Sequence, residues 1–330
     1  MIGEIGHMLP DSIRAVMGRV PAATLNAAEE LRIRENRPME LSGAGRYGFI
    51  QPDGQVVDNP EAAYRPGREE CIRLVELLTN HSLYALEEEL RRGFITVRGG
   101  HRVGLAGRTV LEQGRVKQIR DVGGVNIRLA RQVPGCAQPL WRKLANRHTG
   151  LLPHMLLLSS PQKGKTTVIR DLARMISSGS PSTRTPAKKV AIIDERSEIA
   201  ACYRGVPVFD VGPRTDVLDG CPKAEGMMMM IRSMSPEVLV VDEIGGPEDA
   251  HALEEAMRAG VRVVATAHAG SLEEALARPA LQRIFRTGVF ERLVWLERDG
   301  GGDPVFAYFD SDGRPLEEIR AQIGGYRVCN

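Results

Sequence analysis

Apolar and polar positions follow one rhythm in the first part of this chain and another in the second. Residues 10–17 and 23–34 place apolar side chains at helical spacing, with Glu29 and Glu30 on the far side of the second stretch. Residues 38–41, 47–51 and 55–57 read as short strands around an Asp53-Gly54 turn. A helix is predicted over 69–78, and Asn80-His81-Ser82 reads as the cap of another over 83–92. Residues 94–98, 102–108 and 116–119 alternate or run apolar with glycines between them, as in an antiparallel meander. A small mixed α/β domain over 1–135 follows from this pattern.

Pro134, Gly135 and Pro139 interrupt the pattern, so 136–150 reads as a linker. From 151 to 330 a strand–loop–helix order repeats, which implies a mainly parallel sheet. Strands are expected at 155–158, 190–193, 238–241 and 261–266, with helices at 166–176, 248–259 and 272–277. The Ser/Thr/Gly/Pro-rich stretch 177–185 reads as a surface loop, and 289–296 with 304–309 as a closing hairpin.

Composition narrows the picture modestly. With 42% hydrophobic and 26% charged residues the chain can bury an ordinary core. A net charge of +2 offers no global field for nucleic acid or a membrane surface. The five cysteines are scattered and form no Cys-x-x-Cys pair, which argues against disulfide and zinc frameworks and for a reduced, cytoplasmic setting. Residues 1–20 carry Glu4, Asp11, Arg14 and Arg19 and lack a spanning or signal-like apolar run. Any membrane association is therefore expected to be peripheral.

The strongest chemical signal is Ser159-Ser160-Pro161-Gln162-Lys163-Gly164-Lys165-Thr166-Thr167, placed directly after a strand and opening a helix. A phosphate-binding loop needs that context, because unpaired N–H groups at a helix start point at phosphate oxygens. Ser160 to Thr167 are the expected nucleotide-binding residues; Lys165 would reach the β- and γ-phosphates and the Thr166 hydroxyl would ligand Mg²⁺. Ser159 stands where the usual motif begins with glycine, a place where serine is expected to weaken binding. Asp242-Glu243 ends the apolar strand at 238–241, so Asp242 is the second candidate magnesium ligand and Glu243 the candidate to orient water. Asp194-Glu195 follows another strand, and Glu195 is the expected second carboxylate facing the nucleotide. His268 follows a third strand and is a candidate γ-phosphate sensor. Helix capping, an ordinary turn and a structural histidine are the competing readings of these three features.

Taken in order, 159–167, 193–198, 238–246 and 266–268 resemble the Walker A loop, acidic box, Walker B strand and histidine box of the type II/IV secretion ATPase superfamily. More narrowly, 192–203 (IIDERSEIAACY), 210–230 (DVGPRTDVLDGCPKAEGMMMM), 231–236 (IRSMSP), 30–41 (ELRIRENRPMEL) and the stretch LTNHSLYALEEELRRG resemble the stage III sporulation protein AA family. That resemblance implies a RecA-like P-loop core, ATP and Mg²⁺ as cofactors, and ATP hydrolysis that drives a secretion-like channel around the forespore. It also implies a mother-cell ATPase at the periphery of membrane-embedded sporulation proteins, working as a ring, expected to be a hexamer. Glu243 takes the catalytic-acid role, Glu195 the acidic-box role and His268 the histidine-box role. Gly245 stands where many secretion ATPases carry an arginine.

A γ-phosphate needs more positive charge than one P-loop supplies, so Arg214 and Arg232 are candidates to act across a subunit boundary, with Arg232 the expected catalytic one. Arg102, Arg108 and Arg120 are further sources in the first domain. The run Met227 to Met230 reads as helical core packing. Two alternatives remain open: an NTPase linked to nucleic acid, and a nucleotide-gated scaffold with weak hydrolysis. The absence of a basic, aromatic-laced segment counts against the first.

Overall fold

The computed structural model describes residues 5–43, 46–79, 94–112, 114–145, 152–180 and 185–317. The expected cap at 80–82 and helix at 83–92 lie outside these residues. The chain divides into two units, Met1–Ala130 and Arg131–Asn330.

In the first unit α1 (Asp11–Met17), α2 (Ala22–Ala27) and α3 (Arg68–Leu78) accompany seven strands. These are β1 (Glu30–Arg34), β2 (Glu40–Gly43), β3 (Arg46–Ile50), β4 (Val56–Val57), β5 (Phe94–Val97), β6 (His101–Glu112) and β7 (Arg115–Arg128). They form one sheet in the order β4-β3-β2-β1-β7-β6-β5, antiparallel throughout. The helix expected over 23–34 stops at Ala27. Ala28 turns extended, and Leu31 and Ile33 alternate inward along β1, because pairing with both β2 and β7 outweighs helical spacing there.

The second unit begins with α4 (Gln138–Leu144), inside the stretch that the prolines marked as a linker. Pro139 lies in the first turn of that helix, where a proline costs no hydrogen bond. Leu140 and Trp141 are buried in the second unit's core. The remaining elements are β8 (Met155–Ser159), α5 (Lys165–Ser178), β9 (Val190–Asp194), β10 (Thr215–Asp219), α6 (Lys223–Met234), β11 (Val238–Val241), α7 (Pro247–Arg258), β12 (Arg262–His268), α8 (Leu272–Ala277), α9 (Pro279–Arg286), β13 (Arg292–Arg298), β14 (Pro304–Phe309) and β15 (Pro315–Glu317).

Their sheet runs β10-β9-β11-β12-β8-β13-β14-β15. Its first six strands are parallel, and β14 and β15 close it antiparallel. The "mainly parallel" expectation thus describes this sheet and not the first unit's. Successive residues of each central strand enter opposite cores: Met155 and Leu157, Val190 and Ile192, Val238 and Val240 face the α5 side. Leu156 and Leu158, Ala191 and Ile193, Leu239 and Val241 face α6 and α7. Burial on both faces explains why these strands read as continuous apolar runs. The methionine run lies on α6, with Met227 and Met230 in the core and Met229 exposed, the three-residue repeat of a helix face.

Because α4 packs against α5, Leu140→Ala is expected to cost about 2–4 kcal/mol in urea unfolding of the second unit. A cost below about 0.5 kcal/mol would mean that this helix is not part of that core.

Candidate functional site

Parallel order brings the carboxyl ends of β8, β9, β11 and β12 to one edge of the sheet. Ser159 lies opposite His268 in the β8–β12 register, and Val241 opposite both Ala265 and Ile193. Ligands of open parallel sheets bind at such edges.

The loop from Ser160 to Gly164 leaves β8 and enters α5. Its left-handed residues are Gln162, at φ 64°, and Gly164, at φ 90°. The φ of Gly164 is one that side-chain-bearing residues rarely adopt, so a substitution there is strained even though the Arg298 tip, 2.1 Å from an added Cβ, could move aside. Ser159 needs no such freedom. It ends β8 as an ordinary extended residue, and its Oγ accepts from Lys165 Nζ at 3.0 Å. The expected penalty for serine at this position therefore has no backbone basis.

Lys165 opens α5 only 4% exposed. Its ammonium also donates to the carbonyls of Ser159 (3.1 Å) and Ser160 (3.4 Å) and to Nδ1 of His268 (2.7 Å). With Nδ1 accepting, the proton of His268 sits on Nε2, which donates to Glu243 Oε1 at 2.7 Å. Burial pulls the Lys165 pKa down to about 8, against the charges of Asp242 and Glu243. Burial works against ionised Glu243, yet the hydrogen bond from His268 and the charges of Arg196 and Lys165 hold its pKa below the ordinary value.

Asp242 accepts from Thr166 Oγ1 at 2.7 Å and, on its other oxygen, from Thr266 Oγ1. The Thr266 hydroxyl in turn accepts the amide of Glu243 at 2.9 Å, which fixes the left-handed Glu243 backbone (φ 54°). A hydroxyl and a carboxylate held side by side form a hard-oxygen pair suited to magnesium. Among the described residues no cluster of three His, Cys, Asp or Glu side chains forms a protein-only metal cage. Mg²⁺ typically binds through few protein ligands, with water and phosphate completing the shell.

The acidic box departs from expectation in its division of labour. Asp194 is buried and accepts three amides, from Glu198 (2.8 Å), Ile199 (2.9 Å) and Ala200 (2.8 Å). Burial pushes its pKa up to about 6, against the amides of Ala200 and Ile199 and assisted by Asp219 and Asp242. Glu195 turns to Lys223 at 2.5 Å and lines a narrow cleft with Glu198, Asp242 and Glu243. Sequence reasoning gave no role to Arg170, which reaches from α5 to the carbonyls of Arg131 (2.8 Å), Glu198 (2.5 Å) and Ile199 and stacks on Phe209. It also left Arg196 without a role, although Arg196 Nη1 lies 2.6 Å from Glu243 Oε2. Arg298 was missed as well; its Nε donates to the Lys163 carbonyl at 2.9 Å, while Lys163 Nζ pairs with Glu297.

Arg214 and Arg232 do not join this cluster. Thr215 lies opposite Val190, so Arg214 precedes β10 at the amino edge of the sheet. Arg232 is exposed and sits nine residues beyond Lys223 on α6, about 14 Å along the helix axis from the site edge. The turn after β11 carries Gly245 where an arginine is common, and Asp249 in the first turn of α7 accepts the amides of Gly245 and Gly246. Cys71, Cys136, Cys202 and Cys221 are free, and burial raises all four thiol pKa values.

A largely parallel sheet that gathers a strand-to-helix loop, an acid pair and a histidine at one edge is a RecA-like fold. The structure is similar to the ATPase DotB of Legionella pneumophila, with a TM-score of 0.56 and 16% identity over 88% of this chain and 79% of that one. It is also similar to the pilus retraction motor PilT, solved with ADP, with a TM-score of 0.53 and 15% identity over 87% and 80%. At these identities the likeness concerns the fold. The chain belongs to the family described as sporulation stage III, protein AA, whose model matches residues 2–316. It is 45% identical over 328 residues to stage III sporulation protein AA of Bacillus subtilis (strain 168), covering 99% of this chain and 100% of that protein. Among the described residues no helix is long and apolar enough to cross a membrane.

An asparagine at position 194 can offer acceptors on one side only. Asp194→Asn is therefore expected to leave buried amides unpaired and to cost about 2–4 kcal/mol in urea unfolding. A variant as stable as the parent would show that this carboxylate does not organise the acidic loop.

Proposed function

We propose that this chain is a magnesium-dependent ATPase and the ATP-hydrolysing motor of a secretion-like channel complex in endospore formation. One observation carries the reading: Lys165, at the start of α5, is linked through His268 to Glu243 while Thr166 holds Asp242 at 2.7 Å. A buried cation, a hydroxyl–carboxylate pair and a second acid at a strand edge are the groups that phosphoryl transfer uses.

In this reading Lys165 and the loop amides from Ser160 to Thr167 grip the β- and γ-phosphates. Thr166 and Asp242 hold magnesium, which when bound neutralises charge on those phosphates. Glu243 orients the attacking water, and His268 ties its carboxylate to the state of Lys165. Glu195 and Glu198 add negative charge on the far side of the cleft. A ring, proposed as a hexamer, placed on the mother-cell side of membrane-embedded sporulation proteins would suit such a motor. Arg232 lies away from its own site edge and in this reading serves a neighbouring subunit. The nucleotide-gated scaffold loses its motive, since Ser159 sits without strain.

Lys165→Ala is expected to weaken ATP binding at least about a hundredfold in calorimetry while the melting temperature stays near that of the parent. Retained affinity would remove the site. Glu243→Gln is expected to keep nucleotide binding and to lower the hydrolysis rate about a hundredfold or more.

A pH signature also follows. Below pH 8 Lys165 is charged with or without nucleotide, so binding moves no proton on it. Above its pKa of about 8 the free ammonium is partly lost, and an anionic ligand restores it. Binding should therefore take up a proton above pH 8, with affinity falling by up to about tenfold per pH unit. Calorimetry in buffers of different ionisation enthalpy reads this uptake, and proton release would contradict it.

A further inference from the structure

Arg196 combines a fixed backbone with an exposed side chain. Around it, Asp194 accepts three amides, Ser197 Oγ donates to Asp219 Oδ1 at 2.6 Å, and Arg170 holds the carbonyls of Glu198 and Ile199. The Arg196 side chain is nonetheless 57% exposed, and it meets Glu243 Oε2 at 2.6 Å.

In this arrangement both oxygens of Glu243 are engaged, Oε1 by His268 and Oε2 by Arg196, which holds the carboxylate in place and draws its charge away from any water beside it. Lys165 is likewise satisfied by His268, Ser159 and Ser160. A continuous line from Lys165 through His268 and Glu243 to Arg196 lets the charges of the edge neutralise one another. A phosphate that takes Lys165 breaks this line at one end only. The other end opens only for an anion that reaches Arg196.

Other cations nearby are committed. Lys223 pairs with Glu195, Lys163 with Glu297 and Arg278 with Glu274, and Arg298 donates to the carbonyls of Lys163 and Gly302. Gly245 brings no side chain, and Arg214 and Arg232 stand away from this edge. A terminal phosphate carries more negative charge than one carboxylate and offers the guanidinium more than one oxygen. Exchanging the single Glu243 contact for it therefore favours the triphosphate-bound state.

We propose that Arg196 reads the terminal phosphate: with the site empty or holding a diphosphate it restrains Glu243, and a γ-phosphate draws it away and frees Glu243 to orient water. The proposal rests on the nucleotide-binding reading given above. Arg196 then supplies, within the same subunit, the cation that the turn after β11 lacks.

The test compares the binding of a non-hydrolysable ATP analogue and of ADP, each with magnesium, by calorimetry on the full chain, Arg196→Ala and Arg196→Lys. Melting curves accompany each variant. Arg196→Ala should lose about tenfold to a hundredfold for the triphosphate and stay within about twofold for ADP. Arg196→Lys should recover part of the triphosphate affinity. Equal losses for both nucleotides, or no loss for either, would overturn the proposal and leave the nucleotide site standing. Failure of the unsubstituted chain to bind either nucleotide would overturn both.

Discussion

A nearly buried ammonium governs the second unit. Taking the charge of Lys165 out of water is expensive unless acceptors and counter-charges surround it. The fold meets that demand with two carbonyls and a hydroxyl from Ser159 and Ser160, the ring nitrogen of His268, and the carboxylates of Asp242 and Glu243. These groups come from the ends of β8, β11 and β12, so the requirement is met only if the three strands are parallel and in this register. Apolar faces on both sides of the sheet supply the energy that holds the register.

A second constraint fixes the acidic loop after β9. Its backbone amides converge on Asp194, and its carbonyls accept the Arg170 guanidinium from the helix that Lys165 begins. One helix therefore carries both Lys165 and the arginine whose guanidinium holds the carbonyls of the loop after β9. The loop before α5 and the loop after β9 are thus both anchored to the same helix.

Much of the site was legible because the chemistry follows the strands. Each of 155–158, 190–193 and 238–241 is a continuous apolar run, and the polar residue that ends it must sit at the same sheet edge. Position along the sequence did not reveal which atoms meet. Glu195 was singled out and Asp194 was given no role, yet Asp194 organises the loop through three amides while Glu195 pairs with Lys223. The Arg196–Glu243 pair spans two strands and depends on how a loop folds back. Prolines misled in one place, since Pro139 starts α4 instead of marking a linker. In the first unit β1 was read as the end of a helix, because Leu31 and Ile33 satisfy either periodicity until their partners β2 and β7 are known. The edge strand β10 was missed: its aspartates, Asp216 and Asp219, break the apolar run that marked the interior strands.

The most direct test of the site is a crystal structure of the full chain with magnesium and a non-hydrolysable ATP analogue. Lys165 Nζ is expected to leave His268 and contact phosphate oxygens, with magnesium beside Thr166 and Asp242. A nucleotide bound elsewhere, or a Lys165–His268 contact unchanged in its presence, would contradict it.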